Sequence, residues 1–329
     1  MLLALTNSQD ATADYLLSVF VSHQIPFVRF DTDLLVSRLQ FSYRLGSPEL
    51  YFEGKRLLPE EIHSVWYRRP ERLRCEDIAD TPEGKYILEE WAEGLESFLA
   101  HIPMRRWINH PSVNSLASHK LEQLSTASEL GFQVPDTLVT QDEDMLRYFF
   151  ERHGGRLIVK PMAVGYVTRE DNQNDSLIFT NRVSHEDLHD LADLKVCPTL
   201  FQEFITKARD IRITVVDNAC HAVELIAHDE DGRQRCDIRR NNMADVAYKE
   251  ILIPETIRNQ IFRLMECYSL RFAAIDMVES TDGVWYFLEV NPNGQWAWLD
   301  IEGITNIAGS FARAFSSDKD SSICTTPGA

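Results

Sequence analysis

A chain of 329 residues, 44% of them apolar, can bury a sizeable core and divides into two to three lobes. Its formal charge of −18 opposes binding to nucleic acid or to an anionic membrane, both of which need a basic footprint, and fits a solvated surface or a basic peptide partner. No apolar run approaches the roughly 20 residues of a membrane span, and the N-terminus MLLALTNSQD lacks a basic region and a small-residue cleavage site, so a cytoplasmic location is expected.

In chain order, LLALT, a polar turn, a helical pattern over 11–22 and IPFVRFDTD predict a β-α-β opening with parallel pairing. LQFSYRL and ELYFEG alternate as a hairpin does, SVWYRRP (64–70) returns as a strand, and a long amphipathic helix over 81–102 closes the first lobe. A helix over 115–130 then stops at Gly131, and a short strand follows Pro135. RLIVKPMAVGYV predicts a strand running into a glycine turn, SLIFTNRV its returning partner, and SHEDLHDLADL a helix capped by Ser184. TLFQEFI is a strand, and two more strands meet at an Asp217-Asn218 turn. A helix over 254–268 precedes the strands FAAIDMVES and WYFLEVN, and the Ser/Thr/Asp-rich tail from 316 is expected to be disordered.

The chemistry concentrates in FLEVNPNGQWAWLD (287–300). Side chains two apart on a strand share a face, so Glu289 and Asn291 can hold one divalent cation between them, with Asp276 of the upstream strand as a third oxygen ligand. Few hard oxygen ligands, completed by phosphate, suit Mg²⁺. Asn-Pro and Asn-Gly also end strands by themselves, but an acid after FAAI in an apolar strand is costly without a partner. Lys160 ends the apolar strand LIV before a turn containing Gly165, where backbone can approach a phosphate; a lysine snorkelling from a strand end is the alternative. Asp210 and Arg212 share a strand face, in a D-x-R pattern that CDIRRN (236–241) repeats. Six cysteines show no C-x-x-C pair, which argues against zinc or disulfides.

The order Asp276, then Glu-x-Asn-Pro, resembles the ATP-grasp superfamily of carboxylate ligases, and EVNPNGQWAWL together with VWYRRP resembles the branch that closes ester or amide rings in microviridin-type peptides, the graspetides. The resemblance implies an α/β fold of α+β lobes: a pre-ATP-grasp domain (1–108), a central lobe (109–200), a C-terminal lobe with the metal site (201–315) and a tail (316–329). It implies ATP as cosubstrate and two Mg²⁺ ions held by Asp276, Glu289 and Asn291. Lys120 and Lys160 then match the ATP lysines, with a loop after Lys160 folding over the phosphates; Gln202, Glu203, Phe204 and Ile205 match the adenine hinge; Asp210 belongs to the nucleotide site and Arg212 lies near the phosphates; and Arg239 reaches the transferred phosphate. As single residues, Lys120 reads first as a solvated helical lysine, and Arg239-Arg240 reads equally as a surface patch.

The implied reaction is phosphorylation of a carboxylate by ATP, followed by attack of an alcohol or amine. The implied partner is a ribosomal precursor peptide with an acidic, Thr-rich core, and a homodimer is a further implication. Arg68 and Arg69 are candidates for that acidic core, and Trp296, which alternates with Trp298, for a peptide groove or for the protein's own core. Two other readings stay open at this point: a RimK-like ligase adding amino acids to a peptide or protein, and a non-catalytic ATP sensor.

Overall fold

β1 (Leu2–Thr6) is buried at every position, as a strand covered on both faces must be. Asp10 caps α1 (Ala11–Ser22) by accepting from the Ala13 amide at 2.8 Å, and β2 (Phe27–Asp31) pairs parallel to β1. The alternating segments form an antiparallel sheet of β3 (Leu39–Arg44), β4 (Ser47–Phe52) and β5 (Lys55–Leu57). β6 (Ser64–Tyr67), α2 (Pro82–Leu99) and β7 (Trp107–Ile108) complete a parallel sheet in the order β2-β1-β6-β7. The computed structural model describes residues 1–34, 36–163, 165–167, 176–240 and 245–321.

The helix expected over 115–130 is two: α3 (Pro111–Leu116) and α4 (Lys120–Glu129), broken at 117–119. The break makes Lys120 the first residue of α4 rather than a mid-helix surface residue. β8 (Thr137–Thr140), α5 (Glu143–Arg152) and β9 (Leu157–Lys160) follow, then a small hairpin of β10 (Tyr166–Val167) and β11 (Ser176–Leu177). SLIFTNRV is therefore split: β11 pairs with β10, while β12 (Asn181–Val183) returns along β9. The helix expected from Ser184 is two short 3₁₀ turns, Asp187–His189 and Ala192–Lys195. Its own polar side chains compete with helical bonding: Asp187 accepts from both the amide and hydroxyl of Ser184, and Asp190 from the Ala192 amide. β13 (Thr199–Glu203) completes an antiparallel sheet, β12-β9-β13-β8, with α5 on one face.

The third sheet has the order β16-β15-β14-β17-β18, with β14 (Lys207–Val216), β15 (Ala219–Ile226), β16 (Ala247–Ile251), β17 (Phe272–Ser280) and β18 (Trp285–Asn291). The β14–β15 turn has Asp217 at φ +48, and the Arg271 guanidinium grips that carboxylate through Nε and Nη2, both at 2.8 Å. α4 and α6 (Glu255–Cys267) cover one face of this sheet. α7 (Ala297–Ile301) and α8 (Ile307–Ser321) cover the other and pack against β1, α1 and β6, so the end of the chain shares a core with its beginning. α8 runs into the segment expected to be disordered; 322–329 lie outside the described residues. No helix among the described residues is long and apolar enough to cross a membrane.

Candidate active site

The cleft forms where the central sheet hands the chain to the C-terminal one. β13 ends at Glu203 in the first sheet and β14 begins at Lys207 in the second, so Phe204, Ile205 and Thr206 link the two. Gln202 is fully buried; its amide nitrogen donates to Thr137 Oγ1 at 2.8 Å, while its Oε1 has no partner. Glu203 accepts from the Asp136 amide at 3.1 Å, with His153 Nδ1 3.8 Å from its other oxygen. The Phe204 amide donates to Arg156 O, and the Arg182 guanidinium sits 3.9 Å from the centre of the Phe204 ring.

The strand register brings the acids together as alternation predicts. Asp276 of β17 lies opposite Glu289 of β18, and Ala274 opposite Asn291, with an irregularity just past Asp276. On the other side Asp276 faces Arg212 of β14, whose Nε stands 3.0 Å from Oδ1. Lys120 Nζ lies 3.2 Å from Glu289 Oε2 and donates to Pro161 O at 3.2 Å, tying α4 both to β18 and to the residue after Lys160. Five sequence-predicted residues from five elements thus converge: Lys120, Lys160, Arg212, Asp276 and Glu289.

Their electrostatics are those of a site short of one cation and one anion. Burial raises Asp276 to about 6, with Glu289 and Asp210 adding repulsion that Arg212 and Arg239 only partly offset. Yet 31% of its side-chain surface stays open to the cleft. Glu289 resists the same desolvation and stays below its ordinary value because Lys120 and Lys160 hold it ionised. Burial pushes the Lys160 amine down to about 8, and Lys120 adds to that shift against the pull of Glu289 and Asp276. A hard divalent ion beside two carboxylates and an amide oxygen would relieve the first imbalance, and phosphate beside two lysines the second. The fit is to a phosphate-bound Mg²⁺. Among the described residues no group of three or more His, Cys, Asp or Glu side chains could hold a metal unaided.

These shifts set a pH window. Lys160 carries its charge below about 8 and Asp276 its charge above about 6. Apparent Mg²⁺ affinity is therefore expected to fall about tenfold per unit below pH 6, and nucleotide affinity to fall above pH 8. Titrations of both across pH 5–9 check this; a flat profile would contradict it.

Asp210 and Arg212 share a face but do not pair. Lys207 Nζ reaches Asp210 Oδ1 at 2.7 Å and Gln234 Nε2 reaches Oδ2 at 2.7 Å, which leaves Arg212 to Asp276. Arg239 is engaged by Asp237, donating from Nη2 at 2.7 Å. Those bonds hold Asp237, itself opposed by burial, at about 2, and raise Arg239, with Glu289 and Asp276 contributing further. The Arg239 and Arg240 guanidinium groups both lie against the Phe179 ring, at 5.9 and 5.7 Å. Gly165, at φ +70, follows Lys160 closely, and a Cβ there would lie 2.6 Å from Pro161 Cγ. The loop expected to fold over the phosphates falls at Val164 and 168–175, outside the described residues.

Two substrate candidates are placed in the core instead. Trp296 is 0% exposed, stacked on Phe311 at 5.2 Å and edge-on to Tyr15, so it offers no surface to a peptide. Trp296→Ala is expected to cost about 3–5 kcal/mol of stability by chemical denaturation. Arg68 is 1% exposed, with its guanidinium spent on Asp10, Asn293, Gly294 and Gln295, so it is not free for an acidic peptide. Arg69 remains exposed, at φ +47 with its carbonyl held by Asn7.

Three residues near the site carried no distinctive sequence signal. Gln123, one turn after Lys120, pairs with both backbone groups of Val290, accepting from N at 3.0 Å and donating to O at 2.9 Å. It thereby fixes the strand between Glu289 and Asn291. Asn109 donates to the Phe272 and Pro292 carbonyls, joining β17 to the end of β18. Lys207 is 9% exposed on its side chain beside Asp210.

An antiparallel sheet carrying an acid–acid–amide set, faced by lysines from a second lobe across a hinge strand, defines an ATP-grasp ligase. A model of the RimK-like ATP-grasp domain matches residues 114–315, more than half of the chain. The chain belongs to the RimK-like ATP-grasp family. Its fold also matches solved ligases along nearly their whole length. The macrocyclase MdnC of Microcystis aeruginosa, bound with the precursor peptide MdnA, is 25% identical with a TM-score of 0.80, over 96% of this chain and 99% of that one. A RiPP-associated ATP-grasp ligase of Chryseobacterium gregarium, in complex with ADP and a leader and core peptide, is 25% identical with a TM-score of 0.79, over 96% of each chain. The macrocyclase MdnB of Microcystis aeruginosa is 27% identical with a TM-score of 0.73, over 95% and 98%. No curated protein sequence matches the chain.

Proposed function

We propose that this enzyme uses ATP to activate Asp or Glu side chains of a ribosomal precursor peptide and closes ester or amide crosslinks with Thr, Ser or Lys. The observation that carries this reading is the likeness, across 96% of the chain, to two ligases solved with their peptides, joined to the charge imbalance at Asp276, Glu289 and Lys160. A substrate carboxylate oxygen attacks the γ-phosphorus of ATP and ADP leaves. A hydroxyl or amine of the same peptide then attacks the acyl carbon, phosphate leaves, and the peptide has lost one water per ring.

The protein's part is charge placement and orientation rather than a covalent bond to substrate. Lys120 and Lys160 hold phosphate oxygens. Arg212, and Arg239 once released from Asp237, oppose negative charge on the phosphoryl group in transit. Asp276, Glu289 and Asn291 would hold two Mg²⁺ ions, which supply charge neutralisation between phosphates. Gln202 Oε1 and the backbone of 203–205 serve the adenine, with Asp210 held by Lys207 behind them. Arg69 is the remaining candidate for an acidic core. The lobes are 1–108, 109–200 and 201–315.

The family match favours one competitor, RimK-like addition of amino acids. An intact-mass spectrum of a candidate precursor peptide after incubation with enzyme, ATP and Mg²⁺ separates them. Loss of one or more waters supports ring closure, a gain of amino-acid residues supports the competitor, and an unchanged mass without ADP formation would overturn both.

A further inference from the structure

Arg68 forms a bridge that its burial alone does not explain. A guanidinium 1% exposed with a single carboxylate partner is an expensive way to join two lobes, and the apolar cluster of Leu16, Phe20, Trp66, Trp296 and Phe311 already joins them. Beyond Asp10, the Arg68 guanidinium bonds the turn after β18: Nη1 to Asn293 O at 2.7 Å, to Asn293 Oδ1 at 3.4 Å and to Gly294 O at 3.0 Å, and Nη2 to Gln295 Oε1 at 2.6 Å. Thr12 of α1 donates to the same Gln295 oxygen.

That turn aims Asn291. The Asn293 amide donates to Asn291 Oδ1 at 2.9 Å, which occupies one lone pair of the oxygen and directs the other. The turn has little room to shift: a Cβ on Gly294 would lie 2.4 Å from Ala274 Cβ, and Ala274 is the residue across from Asn291. We infer that Arg68 is a positioning residue, through which the N-terminal lobe sets the Asn291 amide oxygen for a nucleotide-bound divalent cation by clamping the 293–295 turn. The inference rests on the proposed nucleotide-metal site and adds that this site is built partly by a lobe that contributes no ligand to it.

The test uses the full chain, ADP and Mn²⁺ as probe, with bound Mn²⁺ read from the loss of the free-ion electron paramagnetic resonance signal. Arg68→Lys keeps a charge beside Asp10 but cannot span the two carbonyls and Gln295. Half-saturating Mn²⁺ is expected to rise roughly tenfold or more, as for other residues that orient metal ligands, while metal-free ADP affinity stays within about twofold. Gln295→Ala, at an exposed position, removes one acceptor of the clamp and is expected to raise it by a smaller factor, about threefold. Should Arg68→Lys fail to fold, Gln295→Ala decides. A folded variant that melts earlier yet binds Mn²⁺ as the parent does would reduce Arg68 to a structural tie and overturn the inference. If the parent protein with ADP takes up no Mn²⁺, the nucleotide-metal reading itself fails.

Discussion

Glu289→Gln is expected to lower ATP-dependent ADP formation roughly 10³-fold while the protein stays folded. The substitution keeps the shape of the side chain and removes one charge from a cluster whose balance depends on it. Glu289 is the acid that Lys120 reaches at 3.2 Å and that offsets the burial of Lys160. Without it, two lysines face each other across the cleft, and Asp276 is the one carboxylate left beside the Asn291 amide to meet a divalent cation. Metal-assisted neutralisation of a phosphoryl group contributes several kcal/mol, and about 4 kcal/mol corresponds to roughly 10³ in rate. The loss should appear in kcat as well as in the Mg²⁺ requirement, because the charge being neutralised grows toward the transition state. ADP formation by chromatography in the presence of peptide, with a circular dichroism melt as control, measures both. Turnover within about threefold of the parent would remove Glu289 from the site and with it the ligase reading.

Asp276, Glu289 and Asn291 were legible because their relation is local: a period of two along one strand, plus an acid in an apolar neighbour, suffices to predict a shared face. The same rule placed Asp210 and Arg212 on one face but could not tell that each takes a partner from elsewhere, Lys207 and Gln234 for one and Asp276 for the other. Cross-strand partners depend on sheet order, which alternation does not encode. Arg68 was misjudged for a related reason, while of the two readings open for Trp296 the structure takes the protein's own core. An arginine after an aromatic strand gives no sign that Asp10 and the 293–295 turn enclose it, and a tryptophan after a metal strand gives none that α8 returns onto the N-terminal sheet to cover it. Gln123 was invisible because a glutamine in a polar helix has no signature; its pairing with Val290 exists only once α4 lies along β18. The helix that failed to form after Ser184 did so where Asp187 and Asp190 bond nearby backbone more readily than a helix would.

Lys160→Met is the complementary case, in which function and stability are expected to move apart. The ammonium group of Lys160 stands in a site that disfavours it, its affinity for a proton lowered to about 8 chiefly by burial. A methionine of similar length fills the same space without that desolvation cost, and Glu289 keeps Lys120 as its partner. The melting temperature should therefore stay within a few degrees of the parent or rise. ATP loses a charged contact in a cleft that screens poorly, so kcat/KM for ATP should fall roughly 10²- to 10³-fold, the range seen when one preorganised donor is removed from a reacting centre. The upper limb of the pH profile supplies an independent check. If Lys160 is the group that titrates near pH 8, the variant's nucleotide affinity should be low and level from pH 7 to 9, where the parent's declines. A variant that keeps both its affinity and the alkaline decline would assign that titration to another group and leave Lys160 a strand-end lysine with no part in phosphate binding. A variant that loses affinity only because it unfolds would show a large drop in melting temperature, which is the opposite of what the burial of this charge predicts.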